Sequence, residues 1–215
     1  MSEEPVAETI FIVDDDRAVR AALSRMLRAE GWTVEAFDSA AAFLAHYDGK
    51  AQGCLVLDVT MPGLDGLGLQ RRLAQDGGDL PIVFVTGHGD IPMSVKAIKG
   101  GAADFLTKPV EAEALTTAVR AAIAQGIAAR REHASMAAHR ERLASLTPRE
   151  LEVLAALAAG KLNKQIAAEL GVVEQTVKFH RARIMERMQA KTVAELMHIA
   201  ARLGVGPGRP TAPRS

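Results

Sequence analysis

Five short apolar runs, each followed by a stretch of helical periodicity, most constrain how the first half of this chain can fold. Runs such as "CLVL" and "IVFV" carry no alternating polar residues, so both faces of these strands are expected to be covered. Strands of this kind separated by helices form a parallel sheet between two helical layers. The sequence therefore predicts an α/β fold with a doubly wound, five-stranded parallel sheet.

The predicted strands and helices of this half alternate along the chain. Strands are predicted at Thr9–Val13, Thr33–Phe37, Gly53–Leu57, Pro81–Val85 and Ala103–Leu106. Helices are predicted at Arg17–Ala29, Ala40–Tyr47, Leu64–Ala74 and Met93–Lys99, and a last one begins at Glu111. In open sheets of this type the functional cleft lies beyond the carboxyl ends of the strands. Polar residues at those ends are therefore the first candidates for a site.

The pattern changes after Leu146, where strand signals disappear and a small all-α domain of four helices is predicted. Its first helix starts at "TPRE", which combines an N-cap Thr, a first-turn Pro and a Glu that completes a capping box. The other helices are predicted at Lys164–Leu170, Glu174–Met188 and Val193–Leu203. We thus predict domains at residues 1–125 and 143–205, joined by a helical linker at 126–142 and followed by a disordered tail at 206–215. A partly flexible linker is the alternative.

A net charge of zero hides an asymmetry between the two halves. Residues 1–125 hold 11 Lys and Arg against 18 Asp and Glu, whereas residues 143–215 hold 11 against 6. The basic half is therefore a candidate for binding nucleic acid, although random surface charge would give a similar count.

The single cysteine excludes a disulfide framework and fits a reducing compartment. The N-terminal sequence has no basic segment followed by an apolar one, and no apolar stretch approaches the roughly 18 residues that a membrane span needs. We therefore expect a cytoplasmic protein without a signal peptide or membrane segment.

Charged and polar residues cluster at the predicted carboxyl ends of four strands. Asp14, Asp15 and Asp16 follow the first strand, and Asp58 follows the third. Thr86 follows the fourth strand, and Lys108 lies just past the fifth. Converging carboxylates favour a divalent cation, for which Mg²⁺ with its preference for oxygen ligands is the natural candidate. Asp58 could then accept a phosphoryl group while the cation and Lys108 offset its charge. Taken singly, the same residues could be helix caps or turn residues.

Residues 8–125 resemble the receiver domain of two-component response regulators. The resemblance rests on the motifs "IVDDD", "LVLDVTMPGLDGLGL", "VFVTGHGD" and "DFLTKP", in this order and spacing. It implies that Asp58 is the phosphoacceptor, that Asp15 binds Mg²⁺ directly and that Asp14 binds it largely through water. The backbone carbonyl of Thr60 would be a further ligand.

The same resemblance implies a switch beside the phosphoacceptor. Thr86 would hydrogen-bond the phosphoryl oxygen and Lys108 would pair with it, with a cis bond between Lys108 and Pro109. Phe105 would be the switch aromatic that follows Thr86 inward.

The segment Leu146–Leu203 resembles a LuxR-type helix-turn-helix domain, through "LTPRELEVLAALAAGKLNKQIAAELGVVEQTVKFHRARIMERM". Helical periodicity places Val177, Arg181, Ile184 and Met188 on the packing face of its third helix. The candidate DNA-binding residues are Thr176, Lys178, Phe179, His180, Ala182 and Arg183. Lys178 and Arg183 can reach guanine or phosphate, and Phe179 can meet a thymine methyl.

Two features of that helix leave questions open. Phe179 could instead pack against a neighbouring helix or a dimer partner. Val173, at the N-cap, is a poor capping residue, so the helix start is expected to fray without DNA.

The whole chain resembles a FixJ-type regulator. This implies a sensor histidine kinase and double-stranded promoter DNA as partners, a homodimer formed on phosphorylation, and RNA polymerase as a further candidate partner. Two rival hypotheses remain. One is a phosphatase with an aspartyl nucleophile at Asp14, although Ala18 stands where those enzymes carry Thr or Val. The other is an interaction module whose basic half binds protein.

Overall fold

The computed structural model describes residues 8–49, 51–87 and 91–206 and divides the chain into two compact units. The division falls between Arg131 and Glu132, inside the predicted linker. The predicted disordered tail lies outside the described residues from position 207 onward. No helix among the described residues is long and apolar enough to cross a lipid bilayer.

The first unit alternates strands and helices as the sequence predicts. Its strands are β1 (Thr9–Val13), β2 (Thr33–Phe37), β3 (Gly53–Leu57), β4 (Ile82–Thr86) and β5 (Asp104–Thr107). Its helices are α1 (Arg17–Ala29), α2 (Ala40–His46), α3 (Gly66–Gln75), α4 (Ile91–Lys99) and the start of α5 (Ala112–Ala144). The second unit continues with α6 (Pro148–Ala158), α7 (Asn163–Leu170), α8 (Glu174–Arg187) and α9 (Val193–Arg202).

The described strands form one five-stranded sheet in the order β2-β1-β3-β4-β5, with every neighbouring pair parallel. This is the flavodoxin-like strand order, in which β1 and β3 flank the topological switch point. The predicted doubly wound parallel sheet is confirmed.

Side chains alternate along the central strands between two separate cores. Phe11, Leu55 and Phe84 point to the face covered by α2, α3 and α4. Ile12 and Val56 point to the opposite face, where α1 and α5 pack. Both faces are therefore apolar, which explains why these strands show no alternation of polar and apolar residues.

The strand bounds correct the sequence prediction in two places that matter for the site. Thr86 is the last residue of β4 rather than the residue after it, and β5 extends to Thr107, so Lys108 follows the strand directly. The backbone N–H of Lys108 donates to the carbonyl of Thr86 over 2.8 Å. The side chains of both residues thus start from the carboxyl edge of the sheet.

Helix α5 is continuous from Ala112 to Ala144 and includes residues 126–142, for which a helical linker is predicted. Gly126, the first residue of the predicted linker, is buried in this helix, where an added Cβ would lie 3.1 Å from the Pro81 ring. Contacts of the first unit therefore continue past residue 125. The domain limits themselves stay a prediction.

The second unit is helical and has its own apolar core, to which Val153, Leu154, Ile166 and Ile184 contribute. The predicted capping box is present at the start of α6: the Glu150 N–H donates to Thr147 Oγ1, and the Glu150 carboxylate accepts from the Thr147 N–H.

Candidate functional site

Asp14 and Asp58 lie side by side because they follow neighbouring strands in register. Val13 pairs with Leu57 in the sheet, and the N–H of Asp58 donates to the Val13 carbonyl over 2.8 Å. Only 1% of Asp14 and 6% of Asp58 is exposed. Two carboxylates this close and this buried need a positive partner.

Lys108, which follows the edge strand β5, supplies that partner. Its Nζ donates to Asp14 Oδ2 over 2.6 Å and to Asp58 Oδ2 over 3.1 Å. The peptide bond between Lys108 and Pro109 is cis, as predicted. One ammonium group therefore bridges two carboxylates whose residues stand 44 positions apart in the chain.

Asp15 completes an acidic pocket. Asp14, Asp15 and Asp58 each offer a carboxylate oxygen, and these oxygens all lie within 4.8 Å of one another. Asp15 is exposed, so the pocket opens to solvent on its side. Three carboxylates and one ammonium leave an excess of two negative charges when all are ionised. This donor set fits a hard divalent cation with oxygen ligands.

Burial and hydrogen bonding act against each other on the charges of this pocket. Burial raises the pKa of Asp14, although the hydrogen bonds from Lys108 and from the Asp16 N–H oppose the shift. Burial alone would lower the pKa of Lys108, but its hydrogen bonds to Asp14 and Asp58 raise it. The lysine therefore stays charged, and the pocket holds a fixed positive group at its inner wall.

Thr60, Thr86 and Phe105 are the remaining residues predicted to take part in phosphorylation and switching. The N–H of Thr60 lies 3.4 Å from Asp58 Oδ1, so the loop after β3 turns back over the carboxylate. Thr86 is fully buried at the end of β4. Phe105 is half-buried on β5, packs against the core on the α4 side and lies 6.3 Å from the Phe84 ring. Asp14, Asp15, Asp58, Thr60, Thr86 and Lys108 thus lie at the carboxyl edge of the sheet, whereas Phe105 lies two pairings further inside, opposite Phe84 on β4.

Asp16 has a different task from its two neighbours. It is the N-cap of α1, and its Oδ1 accepts from the N–H of Ala18 over 2.7 Å. The helix-cap interpretation therefore holds for Asp16, while Asp14 and Asp15 face the pocket. Sequence reasoning missed Arg20, whose Nη1 donates to the carbonyl of Asp14 over 2.6 Å. The sequence signal for such a contact is an arginine near the start of a helix, where that helix follows a strand and a run of acidic residues.

In the second unit, α7 and α8 form a helix-turn-helix pair. Gly171 ends α7 in the left-handed conformation, with φ of 65°, which glycine adopts without strain. Arg149 Nη2 donates to the Leu170 carbonyl over 2.6 Å, and Arg181 Nη1 donates to Asn163 Oδ1 over 2.8 Å. The first contact joins α6 to the end of α7, and the second joins α8 to the start of α7.

Helix α8 has the predicted buried and exposed faces. Val177, Ile184 and Met188 are fully buried, and Arg181 is half-buried. The exposed face carries four of the six candidate DNA-binding residues, namely Lys178, Phe179, Ala182 and Arg183. Thr176 and His180 are half-buried at its margin. The N-cap residue Val173 makes no side-chain capping hydrogen bond, as its side chain predicts.

Phe179 stands out because 57% of it is exposed. Its ring meets the His180 ring edge-on at 5.8 Å, and the Arg183 guanidinium lies over it at 5.5 Å. Such exposure does not fit burial under a neighbouring helix. The dimer-contact alternative stays open.

Two protein families match separate parts of the chain. The family described as "Response regulator receiver domain" matches residues 10–120, and the family "Bacterial regulatory proteins, luxR family" matches residues 144–200. The matches coincide with the acidic pocket in the first unit and the helix-turn-helix pair in the second.

Curated relatives match nearly the whole chain. Response regulator protein TodT of Pseudomonas putida is 46% identical over 197 residues, which is 92% of this chain and 87% of TodT. Transcriptional regulatory protein FixJ of Bradyrhizobium diazoefficiens is 43% identical over 196 residues, covering 91% of this chain and 96% of FixJ.

Two solved structures also cover most of the chain. The response regulator StyR aligns with a TM-score of 0.77 and 43% identity, covering 91% of this chain and 99% of that one. Full-length FixJ from B. japonicum aligns with a TM-score of 0.57 and 43% identity, covering 92% and 97%.

Proposed function

This chain belongs to the response regulators that join a receiver domain to a LuxR-type DNA-binding domain, and we propose that Asp58 is the residue through which it is controlled. A sensor histidine kinase transfers a phosphoryl group to Asp58, and the phosphorylated protein binds promoter DNA as a homodimer. The observation that carries this proposal is the bridge from Lys108 to both Asp14 and Asp58, beside the carboxylate of Asp15.

The geometry around Asp58 suits an acceptor of phosphate. The transfer breaks a phosphorus–nitrogen bond on the kinase histidine and forms a phosphorus–oxygen bond to an Asp58 carboxylate oxygen, and the histidine nitrogen regains its electron pair. Lys108 and the N–H of Thr60 each already face one Asp58 oxygen, so they stand ready to bind the phosphoryl oxygens that arrive there. Burial of Asp58 limits competing hydrogen bonds from water.

We propose Mg²⁺ as the cation of the pocket, held by Asp14, Asp15, Asp58 and the backbone carbonyl of Thr60. When bound, the ion neutralises negative charge on the phosphoryl oxygens. The protein contributes the carboxylate oxygens, whose negative charge attracts the cation. It also contributes Lys108, which stays in the pocket as a positive group when the cation leaves.

The signal leaves the pocket through two side chains on neighbouring strands. Thr86 is paired with Thr107 in the sheet, and Phe105 stands two residues before Thr107 on the same strand. A phosphoryl group on Asp58 draws the Thr86 hydroxyl toward it, and Phe105 turns into the space that Thr86 leaves. The α4–β5 surface changes as a result, and two receivers pair there.

In the second unit we propose that α8 enters the major groove. Thr176, Lys178, Phe179, His180, Ala182 and Arg183 form its DNA-facing surface, with Thr176 and His180 directed to phosphates. RNA polymerase is a further partner of the bound dimer. The compartment is the cytoplasm, where kinase, promoter and polymerase are found together.

We propose that the protein is not a phosphatase acting on phosphate esters. Asp16, the second acid of the Asp-x-Asp pattern, caps α1, so it is not directed to a substrate of Asp14. Sustained release of phosphate from a generic ester by the purified protein would revive that hypothesis.

Intact-mass measurement after treatment with acetyl phosphate and Mg²⁺ tests the proposal. The wild-type protein is expected to gain about 80 Da, one phosphoryl group. Asp58→Asn should gain nothing, and the matched control Asp76→Asn, which alters an exposed aspartate paired with Arg72, should behave like wild type. An adduct that persists in Asp58→Asn contradicts the assignment.

Promoter binding is tested on the same three proteins by footprinting at rising salt. Protection should require phosphorylation in wild type and in Asp76→Asn, and it should be absent in Asp58→Asn. It should weaken steeply with salt, because binding to DNA phosphates releases counterions. Binding that does not respond to salt would favour the interaction-module hypothesis.

A further inference from the structure

Phe179 and Arg183 lie one helical turn apart on the exposed face of α8, and they contact each other. The Arg183 guanidinium lies 5.5 Å from the centre of the Phe179 ring, and the His180 ring meets the Phe179 ring edge-on at 5.8 Å. A cation placed over an aromatic face at this distance is attracted by it. The pair therefore has a defined arrangement before any DNA is present.

The contact with Phe179 limits the conformations of the Arg183 side chain, which is long and would otherwise be flexible. A free arginine loses about 2 kcal/mol of rotamer entropy when it becomes ordered. Stacking on Phe179 orders the guanidinium plane in advance and leaves its N–H edge unshielded by the ring. The nearest carboxylate recorded for Arg183 is Glu186 at 3.7 Å, too long for a strong hydrogen bond and open to solvent on both sides. The N–H groups of Arg183 thus remain available to a base.

Each partner of the pair has one preferred target in the major groove. Arginine binds the O6 and N7 acceptors of guanine, and an apolar ring meets the C5-methyl group of thymine. The two groups are 5.5 Å apart, and successive base pairs are stacked about 3.4 Å apart. This separation limits a contacted thymine and a contacted guanine to base pairs no more than two steps apart, and adjacent pairs let both groups bind while they stay in contact with each other.

We propose that Phe179 and Arg183 act as one unit that recognises a base step in which a thymine is next to a guanine. The inference rests on the proposed entry of α8 into the major groove and adds the sequence that it selects there. Ala182 lies between the two residues in the chain, and its small side chain leaves room for the bases to approach. Lys178 stands outside the pair and binds phosphate or a further base independently.

The first experiment finds the preferred DNA and then edits single atoms of it. The full chain, activated with acetyl phosphate, selects from a pool of random duplexes, and the selected sites should contain the thymine–guanine step in each half-site. Replacing that thymine by deoxyuridine removes only the methyl group and should weaken wild-type binding about fourfold. Replacing the guanine of the step should weaken it by about 5- to 150-fold.

The coupling between the two side chains is tested with variants on the same duplexes. Phe179→Ala should be indifferent to deoxyuridine and should also discriminate less against replacement of the guanine, because Arg183 has lost its support. Arg183→Gln should lose the guanine preference. Arg140→Gln, which removes one exposed arginine of α5, controls for the change in net charge and should keep both preferences.

The possible outcomes distinguish a failure of this inference from a failure of the proposed DNA binding. If Phe179→Ala keeps its full guanine preference, or if deoxyuridine weakens it as much as it weakens wild type, the pair does not act as one unit. If wild type binds selected sites that lack the step, the inference fails while DNA binding stands. If no duplex is selected at all, the proposed DNA binding itself fails.

Discussion

The ammonium group of Lys108 joins Asp14 and Asp58, with distances of 2.6 Å and 3.1 Å from Nζ to the two carboxylates. Asp14, Asp58 and Lys108 follow three different strands, β1, β3 and β5, so this one side chain connects three of the five strand ends at the carboxyl edge of the sheet. It offsets the repulsion between two buried acids in the resting protein and remains in place to meet a phosphoryl group.

Replacing Lys108 by Met should destabilise the receiver by about 3 kcal/mol, because two largely buried carboxylates lose the ammonium group that pairs with both. The measurement is urea unfolding followed by the fluorescence of Trp32, which lies in this unit. Lys99→Met, at an exposed position on α4, should change stability by less than about 0.5 kcal/mol. Equal stability of both variants would show that the bridge contributes nothing.

Gly66 should not tolerate a side chain. A Cβ at this position would lie 2.2 Å from the carbonyl oxygen of Asp58 and 2.9 Å from Val59 Cα. Gly66→Ala must therefore displace the loop that carries Asp58, with an expected cost of about 1–3 kcal/mol and slower phosphorylation by acetyl phosphate. Gly87→Ala, where an added Cβ meets nothing within 4 Å, is the control for stability. Wild-type phosphorylation kinetics in Gly66→Ala would contradict the close approach.

The thiol of Cys54 should be inert in the folded protein. Cys54 is fully buried in the core that α1 and α5 cover, and burial raises the pKa of its thiol to about 12. Because the thiolate is the reactive form, a chromogenic disulfide reagent should label no thiol in native buffer and one per chain in urea. Rapid labelling of the native protein would mean that this core opens readily.

Glu150 should make the stability of the second unit depend on pH in the acid range. Burial opposes ionisation of this carboxyl, but hydrogen bonds from the N–H and hydroxyl of Thr147, together with the charges of Arg187 and His180, lower its pKa. A lowered pKa in the folded state means that the stabilisation is present above the unfolded pKa, about 4.3, and is lost as pH falls through the folded value.

Hydrogen exchange in α6 and α8 of the full chain measures this effect. Glu150→Gln should lower protection at pH 7 by about 1 kcal/mol, and the effect should be smaller at pH 3, because the wild-type protein loses this stabilisation as the pH falls below the unfolded pKa. Glu152→Gln changes an exposed glutamate of the same helix and should leave protection unchanged at pH 7. A Glu150→Gln effect of the same size at both pH values would exclude the ionised carboxyl as its cause.

The start of α8 should become more stable when a capping residue is introduced. Val173 occupies the N-cap, is 68% exposed and makes no capping hydrogen bond. Val173→Ser supplies a side-chain acceptor for the N–H groups of the first turn and should raise their protection by about 1 kcal/mol without DNA. Val173→Ala removes the same side chain without adding an acceptor, so a gain of equal size in that variant would rule out capping.

The sequence was sufficient to predict the sheet, its parallel pairing and the meeting of Asp14, Asp58, Thr86 and Lys108 at one edge, because strand ends follow from local patterns and topology. The contacts of single long side chains were not predictable in the same way. Arg20 on the Asp14 carbonyl and Arg183 over Phe179 depend on the rotamer that each arginine adopts, which the sequence pattern does not specify. The different roles of Asp14, Asp15 and Asp16 were also not predictable from the sequence. They depend on where α1 begins, because its N-cap is Asp16 while Asp14 and Asp15 face the pocket.

The strand order has a consequence for how the two units acquire their structures. Every pairing in the sheet joins parallel strands, so each requires a long crossover connection and brings together residues far apart in sequence. The four helices α6–α9 are joined by short turns, and their contacts are comparatively local. Folding rates fall as the sequence separation of native contacts grows, so the DNA-binding unit should refold faster than the receiver that precedes it. A refolding experiment on the full chain should therefore show helical signal returning before the Trp32 environment is restored.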